Sequence, residues 1–119
     1  ALAVLKQVGL EHLADQKAGD LAYGHQRLVE IAMGLALRPH LLILDEPKQG
    51  LAEEEVSDFI ALIRAIARDM TVLLIEHNMH VVMSLAQRIT VMQQGRILAE
   101  GTPDDIRNNP DVQRAYLGA

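Results

Sequence analysis

Apolar positions along this chain recur with two periods, and the switches between them mark the predicted elements. The opening stretch ALAVLKQVGLEHLAD is apolar at 2, 4, 5, 8, 10 and 13, a helical spacing interrupted at Gly9. DQKAGDLAYG is polar and glycine-containing and reads as a loop leading to a helix start. From Gln26 to Arg38 apolar residues stand at 28, 29, 31, 32, 33, 35, 36 and 37, nearly all round. That pattern predicts a mostly buried helix, stopped by Pro39. LLIL at 41–44 is short, aliphatic and bounded by Pro39 and Pro47, which predicts a fully buried strand. EEEVSDFIALIRAIARDM follows with acids in its first turn, where they complement the helix dipole. Val56, Phe59, Ile60, Ile63, Ile66 and Ala67 fall on one face of that helix. TVLLI at 71–75 is a second apolar strand, followed by Glu76 and His77. A helix through Val81 to Ala86 comes next.

RITVMQQGRILAEG alternates in polarity and turns at Gln94-Gly95, the pattern of a β-hairpin. The tail TPDDIRNNPDVQRAYLGA reads as two short helical turns capped by Thr102 and Asn109, each with a proline at the first helical position. The order strand, helix, strand, helix, strand implies an α/β fold: parallel strands with right-handed crossover helices and a C-terminal antiparallel hairpin. Ligands of such sheets bind beyond the carboxyl ends of the strands. Asp45, Glu46 and His77 all fall at such ends. No internal repeat, low-complexity tract or long linker divides the chain.

Composition narrows the function classes. Half of the 119 residues are apolar and only 3% aromatic, so the core must be aliphatic. The formal net charge is −5 with no Lys/Arg cluster, which argues against a nucleic-acid-binding surface. The absence of cysteine removes disulfide and thiolate-metal chemistry. No apolar run approaches the roughly 20 residues that span a bilayer, and no signal-peptide pattern opens the chain. The expectation is a soluble protein of a reducing compartment, reaching a membrane only through a partner.

LLILDEP drives an aliphatic strand into two adjacent carboxylates, which are costly to desolvate without a compensating cation. Asp45 suits Mg²⁺, a hard cation that prefers oxygen ligands. Glu46, pointing to the other side, suits proton acceptance from an attacking water. The blander alternative has Asp45 capping the next turn and Glu46 solvated. His77 offers a donor and an acceptor to a phosphate oxygen or a water, or is an ordinary loop histidine. With Glu76 and His80 it forms at most a partial metal-binding set, unlike H-E-x-x-H. Gly24, before a long helix, is a weak sign of phosphate binding through exposed N–H groups. Neither a G-x-x-x-x-G-K-[ST] loop nor a nucleophile elbow is present in the chain.

In order, LAYGHQRLVEIAMGLALRP, LLILDEP, the QGLAEEE turn, TVLLIEH and ITVMQQGRILAEGTPDDI resemble the C-terminal half of an ABC transporter ATP-binding subunit. The resemblance covers nearly the whole chain. The ending GTPDDIRNNPDVQRAYLGA is similar to the tails of branched-chain amino-acid and related amide or urea uptake ATPases. It implies a partial P-loop NTPase fold with LLILDEP as the Walker B strand, LAYGHQ as the signature motif and IEH as the switch-histidine strand. Residues 1–38 would complete a helical subdomain with the signature motif. Residues 39–101 would carry the Walker B strand, switch histidine and hairpin, and 102–119 a helical tail.

The implied cofactors are ATP and Mg²⁺. Asp45 would help hold Mg²⁺, Glu46 would polarise the attacking water, and His77 would contact the γ-phosphate. Leu21, Ala22, Tyr23, Gly24 and His25 would press on ATP bound by a second ATP-binding subunit. The implied partners are that subunit and integral-membrane permease subunits, at the cytoplasmic face of the cell membrane. Ala22 stands where the family usually has Ser, His25 where it has Gln, Lys48 where a small or hydroxyl residue is common, and Ala52 where an acidic residue or Asn is frequent. These departures favour the alternative of a non-catalytic interaction module that keeps the fold without the activity. Because the P-loop, adenine-stacking region and Q-loop are missing, the resemblance further implies a fragment. Alone it would be inactive and prone to self-association or strand exchange.

Overall fold

The computed structural model describes residues 1–117, so the last two residues of the predicted tail, 118 and 119, lie outside it. The opening apolar spacing folds as helix α1 (Leu2–Gln7), broken where Gly9 takes φ +79. That left-handed conformation is inexpensive only for glycine. It lets both flanking residues, Val8 and Leu10, be buried before a 3-10 turn at Glu11–Leu13.

Helix α2 (Tyr23–Ala36) begins three residues before the apolar pattern does, with Ala22 at its N-cap. Ala22 has no side-chain acceptor for the orphan amides. The entry is held instead by Gln26, whose amide nitrogen donates to the carbonyls of Leu21 (3.1 Å) and Ala18 (3.2 Å). The helix is not buried all round as its sequence predicts. Gly24, Ile31, Ala32 and Leu35 are buried, whereas Met33 and, just beyond the helix, Leu37 are exposed. At Gly34 a β-carbon would stand 3.2 Å from the Leu42 side chain. The helix therefore lies close against the next strand.

Strands β1 (Leu41–Asp45) and β2 (Thr71–Ile75) pair in parallel, from Leu41 opposite Thr71 to Asp45 opposite Ile75. Helix α3 (Glu53–Ile66) is the crossover, with Val56, Phe59, Ile60, Ile63 and Ile66 buried and Glu53, Glu54 and Glu55 in its first turn. Ala67, expected on the buried face, lies past the helix end and is exposed. The strands also depart from their expected full burial. Leu42 and Leu44 are buried, but Leu41, Ile43, Leu73 and Ile75 are each about half exposed on the other face. A pleated strand sends successive side chains to opposite faces, and α2 lines the face that holds Leu42.

Contacts divide the chain into two compact units, residues 1–81 and the part from Val82 onward. Helix α4 (Met79–Leu85) spans the division, and Asn78 caps it by accepting from the Val81 amide at 3.0 Å. In the second unit β3 (Ile89–Gln93) and β4 (Arg96–Gly101) form the predicted antiparallel hairpin. Gln94 and Gly95 both have positive φ, as a tight two-residue turn requires. The third strand of the predicted succession thus joins a separate two-stranded sheet, not the parallel one. Its tight turn satisfies the backbone locally, without a crossover.

Thr102 accepts from the Asp105 amide, and the Asp105 carboxylate accepts from the Thr102 amide, capping helix α5 (Pro103–Arg107). Asn109 caps α6 (Pro110–Val112) in a similar way, and a π-helical turn follows over Gln113–Leu117. Ile89, Val91, Ile106 and Val112 make the core of this unit. Ile106→Ala leaves a cavity there and is expected to cost about 2–5 kcal/mol in urea unfolding. The exposed Met92→Ala is expected to change stability by less than about 0.5 kcal/mol.

Candidate functional site

Past its last paired residue, β1 continues into Glu46, whose amide donates to the Ile75 carbonyl at 2.7 Å. Glu46 takes φ +47, unusual for a residue with a side chain. Such strain costs on the order of 1–3 kcal/mol and persists only where surrounding structure enforces it. The kink ends the strand and brings the Glu46 carboxylate to His77, the second residue after β2. Glu46 Oε1 lies 3.2 Å from His77 Nδ1, with the side chains 44% and 73% exposed. A carboxylate and an imidazole thus meet at the open carboxyl end of two adjacent parallel strands. Together they can accept and hold a proton from a polar reactant, most simply water.

Asp45, directly before, is exposed and lines a groove between α2 and β1 together with Arg27, Glu30 and Gly34. One exposed carboxylate at a strand end suits Mg²⁺, which takes one or two protein carboxylates and completes its shell with water and substrate phosphates. The donor chemistry present therefore fits the ion. Among the described residues no three His, Asp or Glu side chains share a metal-binding geometry. The set Glu76, His77 and His80 does not form one.

Leu21 to His25 do not join Glu46 and His77 but meet the loop that follows β1. A β-carbon on Gly24 would stand 2.7 Å from a Glu55 carboxylate oxygen, and one on Gly50 would stand 2.1 Å from the Tyr23 ring. Glu55 meanwhile accepts from the Ala52 amide at 2.9 Å, and Lys48 lies 3.6 Å from Glu53. Leu21 and His25 are half-buried, while Ala22 and Tyr23 are exposed at the start of α2.

Two residues hold these parts in place, one that sequence reasoning passed over and one that it weighed only as a metal ligand. Arg27, one turn into α2, donates to the Glu46 carbonyl at 3.2 Å and to Glu30 at 3.0 Å, and its guanidinium lies over the Tyr23 ring. Its buried Nε has no hydrogen-bond partner. A cation set between Gln26 and the apolar run that starts at Leu28 was the available signal. Glu76 is the other; its side chain is only 2% exposed.

Comparison with known proteins follows the same outline. A family model for ABC transporters matches residues 1–49, and one for branched-chain amino acid ATP-binding cassette transporters matches residues 96–119. The chain is 51% identical over 116 residues to the high-affinity branched-chain amino acid transport ATP-binding protein BraF of Pseudomonas aeruginosa. It is 48% identical to LivG, the protein of the same description from Escherichia coli. Each alignment takes in 96% of this chain and 46% of the relative, so the chain spans about half the length of these relatives. The ADP conformation of MJ1267, an ATP-binding cassette of an ABC transporter, superposes with a TM-score of 0.87 at 32% identity. That superposition covers 99% of this chain and 48% of the other. The fold is that of part of an ABC ATPase domain.

The tight seat of Tyr23 over Gly50 gives a direct check. Gly50 has φ +84, so Gly50→Ala meets both backbone strain and the ring. It is expected to lower stability by about 2 kcal/mol or more in urea unfolding. Gly24→Ala has only the flexible Glu55 side chain to displace and is expected to cost less.

Proposed function

We propose that the chain is the C-terminal half of an ABC transporter ATP-binding subunit, similar to the branched-chain amino-acid uptake ATPases, and carries the water-activating part of an ATP-hydrolysing site. The observation that carries this reading is the 3.2 Å pairing of Glu46 with His77 at adjacent strand ends. The relatives' shared description as branched-chain amino acid transport ATP-binding proteins supports the solute class.

In this reading the Glu46 carboxylate accepts a proton from the water that attacks the γ-phosphorus of ATP. The bond to the β-phosphate oxygen breaks, and its electron pair leaves with ADP. His77 orients Glu46 through Nδ1 and turns its remaining ring nitrogen toward the phosphate. Asp45 holds Mg²⁺, which when bound neutralises phosphate charge. Leu21, Ala22, Tyr23, Gly24 and His25 address ATP held by a second ATP-binding subunit, with the exposed start of α2 facing that partner.

Residues 1–38 serve as part of a helical subdomain, 39–101 as the catalytic portion and 102–119 as a tail. A P-loop-bearing N-terminal half supplies the remaining phosphate contacts and covers the apolar stripe of Leu41, Ile43, Leu73 and Ile75. Attachment to the membrane is through permease subunits at its cytoplasmic face; among the described residues no helix is long and apolar enough to cross a bilayer.

Glu46→Gln keeps the shape and removes the proton acceptor. In the chain joined to its P-loop-bearing half, steady-state ATP turnover is expected to fall by roughly 10²–10⁴-fold with nucleotide binding retained. An unchanged rate would remove Glu46 as the base, whereas no turnover by the joined wild type would favour a non-catalytic module of the same fold.

A further inference from the structure

Glu76 stands beside His77 yet turns its carboxylate away from solvent, and it has no part in the reaction just described. Its Oε2 accepts from the backbone amide of Lys48 at 3.3 Å, on the loop that leaves β1. Its Oε1 accepts from the amides of His77 at 3.0 Å and Asn78 at 3.3 Å, on the loop that leaves β2. One carboxylate therefore collects three N–H groups from the segments that carry Glu46 and His77. The side chain is 2% exposed. A buried charge of that kind is retained only where donors satisfy it.

We propose that Glu76 is a positioning residue, an acceptor-only clamp that holds the Glu46 loop and the His77 loop at the spacing their pairing requires. The geometry explains why glutamate is needed there. Both oxygens face N–H donors, so an amide at this position must turn its NH₂ toward a backbone N–H and lose one side of the clamp. The backbone on the β1 side needs such restraint. Glu46 sits at φ +47, and Lys48 follows two residues later. Around Glu46 the chain is further tied by Arg27 at the Glu46 carbonyl and by the Glu46 amide at Ile75. Those bonds fix the backbone of Glu46, and the Glu46–His77 contact joins side chain to side chain, whereas Glu76 ties the backbone of one loop to the other through the Lys48, His77 and Asn78 amides.

The catalytic consequence rests on the proposed ATPase reading; the clamp itself does not. Amide hydrogen exchange and the ¹⁵N signature of the His77 ring are measured in the 119-residue chain for wild type and Glu76→Gln. ATP turnover is measured for the same pair in the chain joined to its P-loop-bearing half. Glu76→Gln is expected to speed exchange at Lys48, His77 and Asn78 and to shift the His77 Nδ1 signal. It is expected to lower kcat roughly tenfold with KM for ATP within about twofold, a loss of the size seen when a supporting shell is removed. Glu76→Asp keeps both acceptors on a shorter stem and is expected to recover part of each loss. It also serves as the test variant if Glu76→Gln does not fold.

Unchanged exchange at the three amides overturns the clamp. Faster exchange with an unchanged His77 signal and unchanged kcat overturns its positioning role. If wild type itself shows no turnover, the ATPase reading fails, and exchange together with the His77 signal still decides the clamp.

Discussion

When Leu41–Asp45 and Thr71–Ile75 pair in parallel register, Asp45 comes opposite Ile75. One more hydrogen bond, from the Glu46 amide to the Ile75 carbonyl, extends the ladder past the end of β1. Almost everything functional in the chain depends on that register. It sets Glu46 beside His77, two residues separated by thirty-one positions in sequence. It also sends Leu42 and Leu44 toward α2 and leaves Asp45 at an open edge. A slip of one residue would turn Leu42 and Leu44 outward and send the carboxylates to the wrong sides of the sheet. Hydrophobic burial thereby specifies the geometry of the proposed site indirectly: the buried leucines fix the register, and the register fixes the carboxylates.

Around that register the structure holds a conformation the backbone does not favour. Glu46 in the left-handed region stores strain, and polar groups of α2 and of both loops converge on it. Arg27 links the helix that begins at the Leu21–His25 segment to the Glu46 carbonyl. The same segment rests on Gly50 and Glu55. Displacement at the start of α2 is thus mechanically connected to the Glu46 turn through a short chain of packed and hydrogen-bonded groups. Such a connection suits a site whose parts are completed by other polypeptide segments.

Much of this was legible in the sequence because it is local. The 3.6-residue period of Val56, Phe59, Ile60, Ile63 and Ile66 predicted α3 and its buried face. Gln94-Gly95 between alternating stretches predicted the hairpin, and Thr102-Pro103 and Asn109-Pro110 predicted two capped turns. Burial of the strands was not legible. LLIL and TVLLI are apolar at nearly every position, so their sequence carries no alternation, yet one face of the pair is half exposed. Whether a face is covered depends on a neighbouring layer that these residues do not encode. The start of α2 was missed for a related reason: Ala22 has no side chain that can cap the first amides, and the entry is held instead by Gln26, which donates to the carbonyls of Leu21 and Ala18. Within the site, the strand-end positions of Asp45, Glu46 and His77 were readable. The contributions of Arg27 and Glu76 were not, since Arg27 reaches the Glu46 carbonyl and Glu76 the Lys48 amide, both remote in sequence.

On the proposed function, this chain carries the water-activating part of a site whose phosphate-holding part lies in another segment. Calorimetric titration of ATP with Mg²⁺ into the 119-residue chain, and into the chain joined to a P-loop-bearing half, tests that division directly. The joined form is expected to bind at ordinary ATPase affinity and the chain alone to show no measurable heat at micromolar nucleotide. Micromolar binding by the chain alone would contradict it.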